Sequence, residues 1–73
     1  MIEQTKHSNQ IAGMKLASVR TSLRIGQKEL AREMGITNTE MRYLEGGVSV
    51  WTPEVIQKHQ AAVERILARR KTA

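Results

Sequence analysis

The run QKELAREMGITNTEMRYLEG, residues 27–46, admits few folds. Leu30, Ala31, Met34, Ile36, Met41 and Leu44 recur at helical spacing on either side of Gly35, which no uninterrupted helix or alternating strand explains. Two short helices meeting at a corner, with these six residues facing inward, satisfy the pattern.

The start of the second helix is legible from local chemistry. Thr37 is an N-cap, Glu40 three residues on completes a capping box, and Ile36 with Met41 forms a hydrophobic staple, so the helix begins at Asn38. From there Asn38, Thr39, Arg42, Tyr43 and Gly46 share one face, and Met41 and Leu44 the other. The first face is polar and has nothing in the corner to pack against.

This run resembles the helix-turn-helix of the phage repressor and Cro-like family. Ala31 stands at the small position where the two helices cross, Gly35 at the turn, and Ile36, Met41 and Leu44 at the family's apolar positions. The resemblance implies that the helix from Asn38 is a recognition helix whose first turns enter the major groove, with Asn38, Thr39, Arg42 and Tyr43 as the base-reading set. It also implies that Arg20, seven residues before the second helix of the domain, pairs with Glu45 as a structural bridge, and that Gln27 braces the DNA backbone. Lys28 adds charge beside it at the helix N-terminus, an anion site suited to one phosphate. Arg24, Thr37 and the Gly46 and Gly47 loop complete the expected phosphate contacts. The chain departs from the family pattern in one turn. Arg24 replaces the usual Gly that ends the first helix, at about 1 kcal/mol if it is left-handed, and Gly26 replaces the usual Ser or Thr cap.

Before this run, Ile11, Leu16, Val19 and Leu23 mark the expected inward stripe of a first helix starting near Asn9. Gly13 is expected to weaken that helix by about 1 kcal/mol relative to Ala. Residues 1–8 read as a flexible arm, either fraying or bringing Lys6 and His7 to DNA, and residues 9–73 as one helix-turn-helix domain. Arg32, flanked by Glu29 and Glu33, reads as part of a solvated face.

After the Gly pair and an extended VSVW linker, Thr52 caps a fourth helix. Pro53 takes its first position, Glu54 suits the dipole, and Trp51 can staple onto Ile56. Val55, Ile56, His59, Ala62, Val63, Ile66 and Leu67 continue the stripe to about Arg70, giving roughly 27 Å of helix. That length exceeds what so small a core covers, so Val63, Ile66 and Leu67 are expected to form a dimer seam. Trp51 is either its aromatic anchor or a filler of the chain's own core. Arg69, Arg70 and Lys71 suit a helix C-terminus, with non-specific phosphate contact as the alternative. The expected fold is thus all-α, a small bundle of about four helices with a long last one.

Seventy-three residues support one modest core, and without cysteine neither a disulfide nor a zinc site can reinforce it. A net charge of +5 favours a polyanionic partner, nucleic acid before acidic membrane. No apolar run approaches the roughly 20 residues of a membrane span, and MIEQTKHSNQ lacks the apolar core of a signal peptide, so a cytoplasmic protein is expected. His7 and His59 have no nucleophile or metal-spaced partner, so neither catalysis, a cofactor nor a metal is expected. The first expectation is a dimeric, sequence-specific regulator of double-stranded DNA, resembling small phage autoregulators such as Cro-like or anti-CRISPR-associated repressors, with no room for an effector domain. The other expectations are a helix-turn-helix antitoxin or protein-interaction adaptor, and an architectural factor that bends DNA with little sequence preference.

Overall fold

The computed structural model describes residues 6–72, and they form four helices: α1 (Lys6–Ser22), α2 (Gln27–Met34), α3 (Asn38–Glu45) and α4 (Pro53–Thr72). The expected all-α bundle with a helix-turn-helix and a long last helix is what the chain builds. Ile25, Leu30, Ala31, Met34, Met41, Leu44, Trp51, Ala62, Val63 and Ile66 make up the core, and five of the six inward residues of the corner are in it, with Ile36 packed at its edge.

Helices α1, α2 and α3 end in the same way. Ile25, Ile36 and Val48 donate backbone N–H bonds to Arg20, Ala31 and Tyr43, while Arg24, Gly35 and Gly47 donate to Thr21, Arg32 and Leu44. This is the paired bonding of the Schellman motif, which needs a left-handed residue just past each helix. Gly35 has φ 77° and Gly47 φ 81°, but the position after α1 is filled by Arg24 at φ 57°. Its strain, about 1–2 kcal/mol, is offset by a clamp from the far end of the chain. Arg70 on α4 donates to the carbonyls of Leu23 at 2.7 Å and Arg24 at 2.8 Å. Arg70 is therefore engaged in the fold and is not a free cation of the tail.

The helix starts follow the expected chemistry. Thr37 Oγ1 accepts from the Glu40 N–H at 3.0 Å, and Thr52 Oγ1 from the Val55 N–H at 3.2 Å. The Glu40 carboxylate makes no return bond, so the capping box is half formed. Gly26 caps α2 with φ −69° and no side-chain bond.

Three expectations are corrected. α1 begins at Lys6, so of the supposed arm only residues 1–5 lie outside the described residues; the side chains of Lys6 and His7 lie outside them too. The early turns are held by tertiary contact. Gly47 sits so close to α1 that a Cβ there would fall 2.7 Å from the Gln10 Cα. Second, Ile11 and Val19 face outward, 41% and 45% exposed, as does Met14 at 69%, while Asn9 and Gly13 are buried. The cause is Gly13, whose hypothetical Cβ lies 2.5 Å from the Glu45 carbonyl oxygen and 2.6 Å from that of Leu44. Close approach of two backbones sets the rotation of α1 and overrides its apolar stripe.

Third, most of the expected dimer seam is interior. Trp51 and Ile66 are fully buried and Val63 nearly so, leaving Leu67 as the exposed member. Trp51 is drawn beneath α3 by its Nε1–H, which donates to the Leu44 carbonyl at 2.7 Å, and α4 lies along α2 instead of projecting from the bundle.

Candidate nucleic-acid interface

The outer side of α3 is only as firm as what stands behind the helix. Arg20 grips Glu45 with two bonds, Nε to Oε2 at 2.6 Å and Nη2 to Oε1 at 3.0 Å, and its third donor meets the Ile25 carbonyl at 2.9 Å. Both side chains are largely withdrawn from water, 13% and 9% exposed. The bridge implied by resemblance is present and joins α1, the first turn and the end of α3. Gln27 belongs to the same network. Its Nε2 donates to Glu45 Oε1 at 3.0 Å, so the amide expected on the DNA backbone is turned inward.

Behind α3 the Trp51 ring meets His59 edge-on, with centroids 5.6 Å apart. Burial pushes the His59 pKa below its ordinary value, opposed by Glu45 and assisted by Arg20. His59 is thus a neutral packed residue. Because the unfolded chain takes up the proton at higher pH than the folded one, this group's stabilisation is full above pH about 6.5 and is lost as the pH falls through that value toward the lower folded one. The melting temperature of the native chain is therefore expected to decline as the pH falls below about 6.5. It should decline less in His59→Phe; equal slopes in the two would show that another group governs the window.

On the outer side of α3, Thr39 and Arg42 are exposed and Tyr43 is half exposed. Asn38 departs from the expected set. It is partly buried, and its Oδ1 is shielded from solvent without a hydrogen-bond partner. Two-point pairing with adenine needs both amide atoms at the surface, so in this orientation Asn38 cannot make it. It lies at the edge of the face, on the side of buried Met41 and Glu45.

Of the expected phosphate contacts, Arg24, Lys28, Thr37 and Gly46 are exposed. Gly47 is not; it is buried against Gln10, and its close approach serves helix packing. With no side-chain cap at Gly26, the first N–H groups of α2 lack a side-chain acceptor there.

The distribution of charge is uneven for a structural reason. Glu33 on α2 is held by Arg65 at 2.8 Å and Arg69 at 3.0 Å, and Glu29 by Arg70 at 3.4 Å. Hydrogen bonds from Arg65 and then Arg69 push the Glu33 pKa down, so its negative charge is already matched by α4. The basic end of α4 thus neutralises the acidic residues of α2, and Arg32, which the sequence placed beside Glu29 and Glu33, is paired with neither. Among the described residues, Lys15, Arg24, Lys28, Arg32, Arg42 and Lys71 lie outside every ion pair, and four of these six are on the first turn, α2 and α3. Arg32 is a cation that sequence reasoning missed. Its signal was the four-residue spacing from Lys28, which puts both on one face of α2.

No group of metal-ligating side chains is found among the described residues, and no helix there is long and apolar enough to cross a membrane. Compared with known proteins, the chain matches no family model, no curated protein and no solved structure.

Proposed function

We propose that this chain is a sequence-specific regulator of double-stranded DNA, acting in the bacterial cytoplasm or nucleoid as a dimer on an inverted repeat and repressing its own operon by occupying the promoter. One observation carries the reading: α3 is braced from behind by the Arg20, Glu45 and Gln27 network while on its opposite side Thr39 and Arg42 are exposed and Tyr43 is half exposed among the described residues. The cations without carboxylate partners on α2 and the first turn support it, as does the likeness of residues 27–46 to the phage repressor and Cro-like motif. In this reading Arg42 takes guanine by two-point bonding, Thr39 meets a thymine methyl, and Tyr43 packs on the sugar-phosphate edge. Lys28, Arg32 and Arg24 hold phosphates and carry no sequence information. Two copies present their α3 helices about 34 Å apart, one turn of the duplex. No small-molecule effector is required.

The test is binding to a duplex selected from a random pool, measured against a scrambled duplex at two salt concentrations. A regulator prefers the selected duplex at both concentrations; equal affinity would mark an architectural factor, and negligible binding to either an adaptor or antitoxin. Within the preferred duplex, Arg42→Ala should lose about 1–3 kcal/mol and relax the preference at one base pair. Lys28→Ala should instead weaken all sequences alike and lower the salt slope by about one. Indistinguishable behaviour of the two variants would contradict this division of roles.

A further inference from the structure

We propose that the groove between α1 and α4 is a self-association surface, filled by the outward ridge of α1 from a second copy of this chain. The groove measures about 450 Å³ and is lined by Leu16, Val19, His59, Gln60, Val63 and Glu64. It exists because α1 packs on α3 and α4 packs on α2, leaving the space between the outer pair uncovered. Leu67, 37% exposed, lies one turn beyond Val63 on the same side of α4.

The rotation of α1 that Gly13 imposes supplies the other half of the contact. It places Ile11 and Met14 outside, at 41% and 69% exposure, as an apolar ridge beside Val19, which is 45% exposed and forms the groove's α1 wall. Met14 is unbranched and adapts to an irregular cleft. A groove of this volume takes only a few side chains, whereas a stable interface covers about 800 Å² on each partner. Ridge and groove must therefore both take part.

Charge selects the occupant. Lys15 stands on the ridge, Glu64 on the groove wall, both are exposed, and neither belongs to an ion pair among the described residues. One chain thus carries a convex surface with a lysine and a concave one with a glutamate. Under a two-fold axis each ridge enters the other groove, and the contact between Lys15 and Glu64 of the other copy forms twice. An unrelated partner would engage only one of the two surfaces. None of Lys28, Arg32, Thr39, Arg42 or Tyr43 lines the groove.

This deepens the dimeric reading above and rests on it only for what the dimer is used for; the association is measured without DNA, so the two can fail separately. Sedimentation equilibrium of the full chain is expected to show a monomer–dimer equilibrium. Val19→Asp should raise the dissociation constant about 100-fold, with helical content by circular dichroism unchanged because the site is on the surface. Lys15→Glu and Glu64→Lys should each raise it about tenfold, and the double exchange should return it to within about threefold of the native value. A native chain that stays monomeric at every concentration overturns the proposal and leaves the groove to a different partner. So does a dimer indifferent to Val19→Asp, or a double exchange no better than its single members.

Discussion

Arg20→Ala is expected to lower the free energy of unfolding by about 3–5 kcal/mol, because it removes one member of an ion pair that is largely withdrawn from water and leaves the other uncompensated. The loss goes beyond one bond. Glu45 would keep only the amide of Gln27, and the Ile25 carbonyl would lose the donor that ties the first turn to α1. For a domain of this size, whose total stability is on the order of 5 kcal/mol, such a loss leaves much of the chain unfolded near physiological temperature. Arg20→Lys should recover only part of it, since an ammonium group cannot hold both carboxylate oxygens and the carbonyl in the same fork. Combining Arg20→Ala with Glu45→Met should be milder than Arg20→Ala alone, because the stranded charge is gone. Urea denaturation followed by circular dichroism measures all of these. A loss below about 1 kcal/mol for Arg20→Ala would place the pair with ordinary exposed bridges.

Gly13→Ala tests the other support of α3, and here local and tertiary reasoning predict opposite signs. In an isolated helix the change stabilises by about 1 kcal/mol. In this fold the new Cβ meets the carbonyl oxygens of Glu45 and Leu44 at 2.5 and 2.6 Å and the carbonyl carbon of Glu45 at 2.9 Å. All three are backbone atoms, which cannot rotate aside, so α1 and α3 must separate and carry Arg20 away from Glu45. A net destabilisation of about 1–3 kcal/mol is expected, and more for Gly13→Val. Ser18→Ala, on the exposed side of the same helix, is the control and should change stability by only a few tenths of a kcal/mol. A higher melting temperature for Gly13→Ala would mean that the two backbones do not cross so closely.

These two positions differ in how much of their role the sequence carries. The separation of 25 positions between Arg20 and Glu45 carries no periodic signal; their pairing is implied by resemblance, and the geometry agrees with it. Gly13 carried a signal that pointed the wrong way, because a glycine in a helix reads as weakness until the element it touches is known. The same holds for Arg70, which by sequence only suits a helix C-terminus and in the fold closes the left-handed turn at Arg24. Among the candidate site residues, Thr39, Arg42, Tyr43 and Lys28 stand where a helical projection puts them. Asn38 and Gln27 turn partly inward, Gln27 toward the Glu45 carboxylate, a partner that no projection contains.

What the sequence by itself determined is what neighbours along the chain decide: the caps at Thr37 and Thr52, the left-handed turn at Gly35, the extent of α2 and α3, and which sides of these two short helices are apolar. Those choices depend on bonds spanning at most five residues, so the local order of side chains suffices. The tertiary structure alone decided the rotation of α1, which of its two expected roles Trp51 takes, and the pairing of α2's glutamates with α4's arginines. Each depends on distances between segments far apart in the chain, where one close backbone contact outweighs a helix's own apolar stripe.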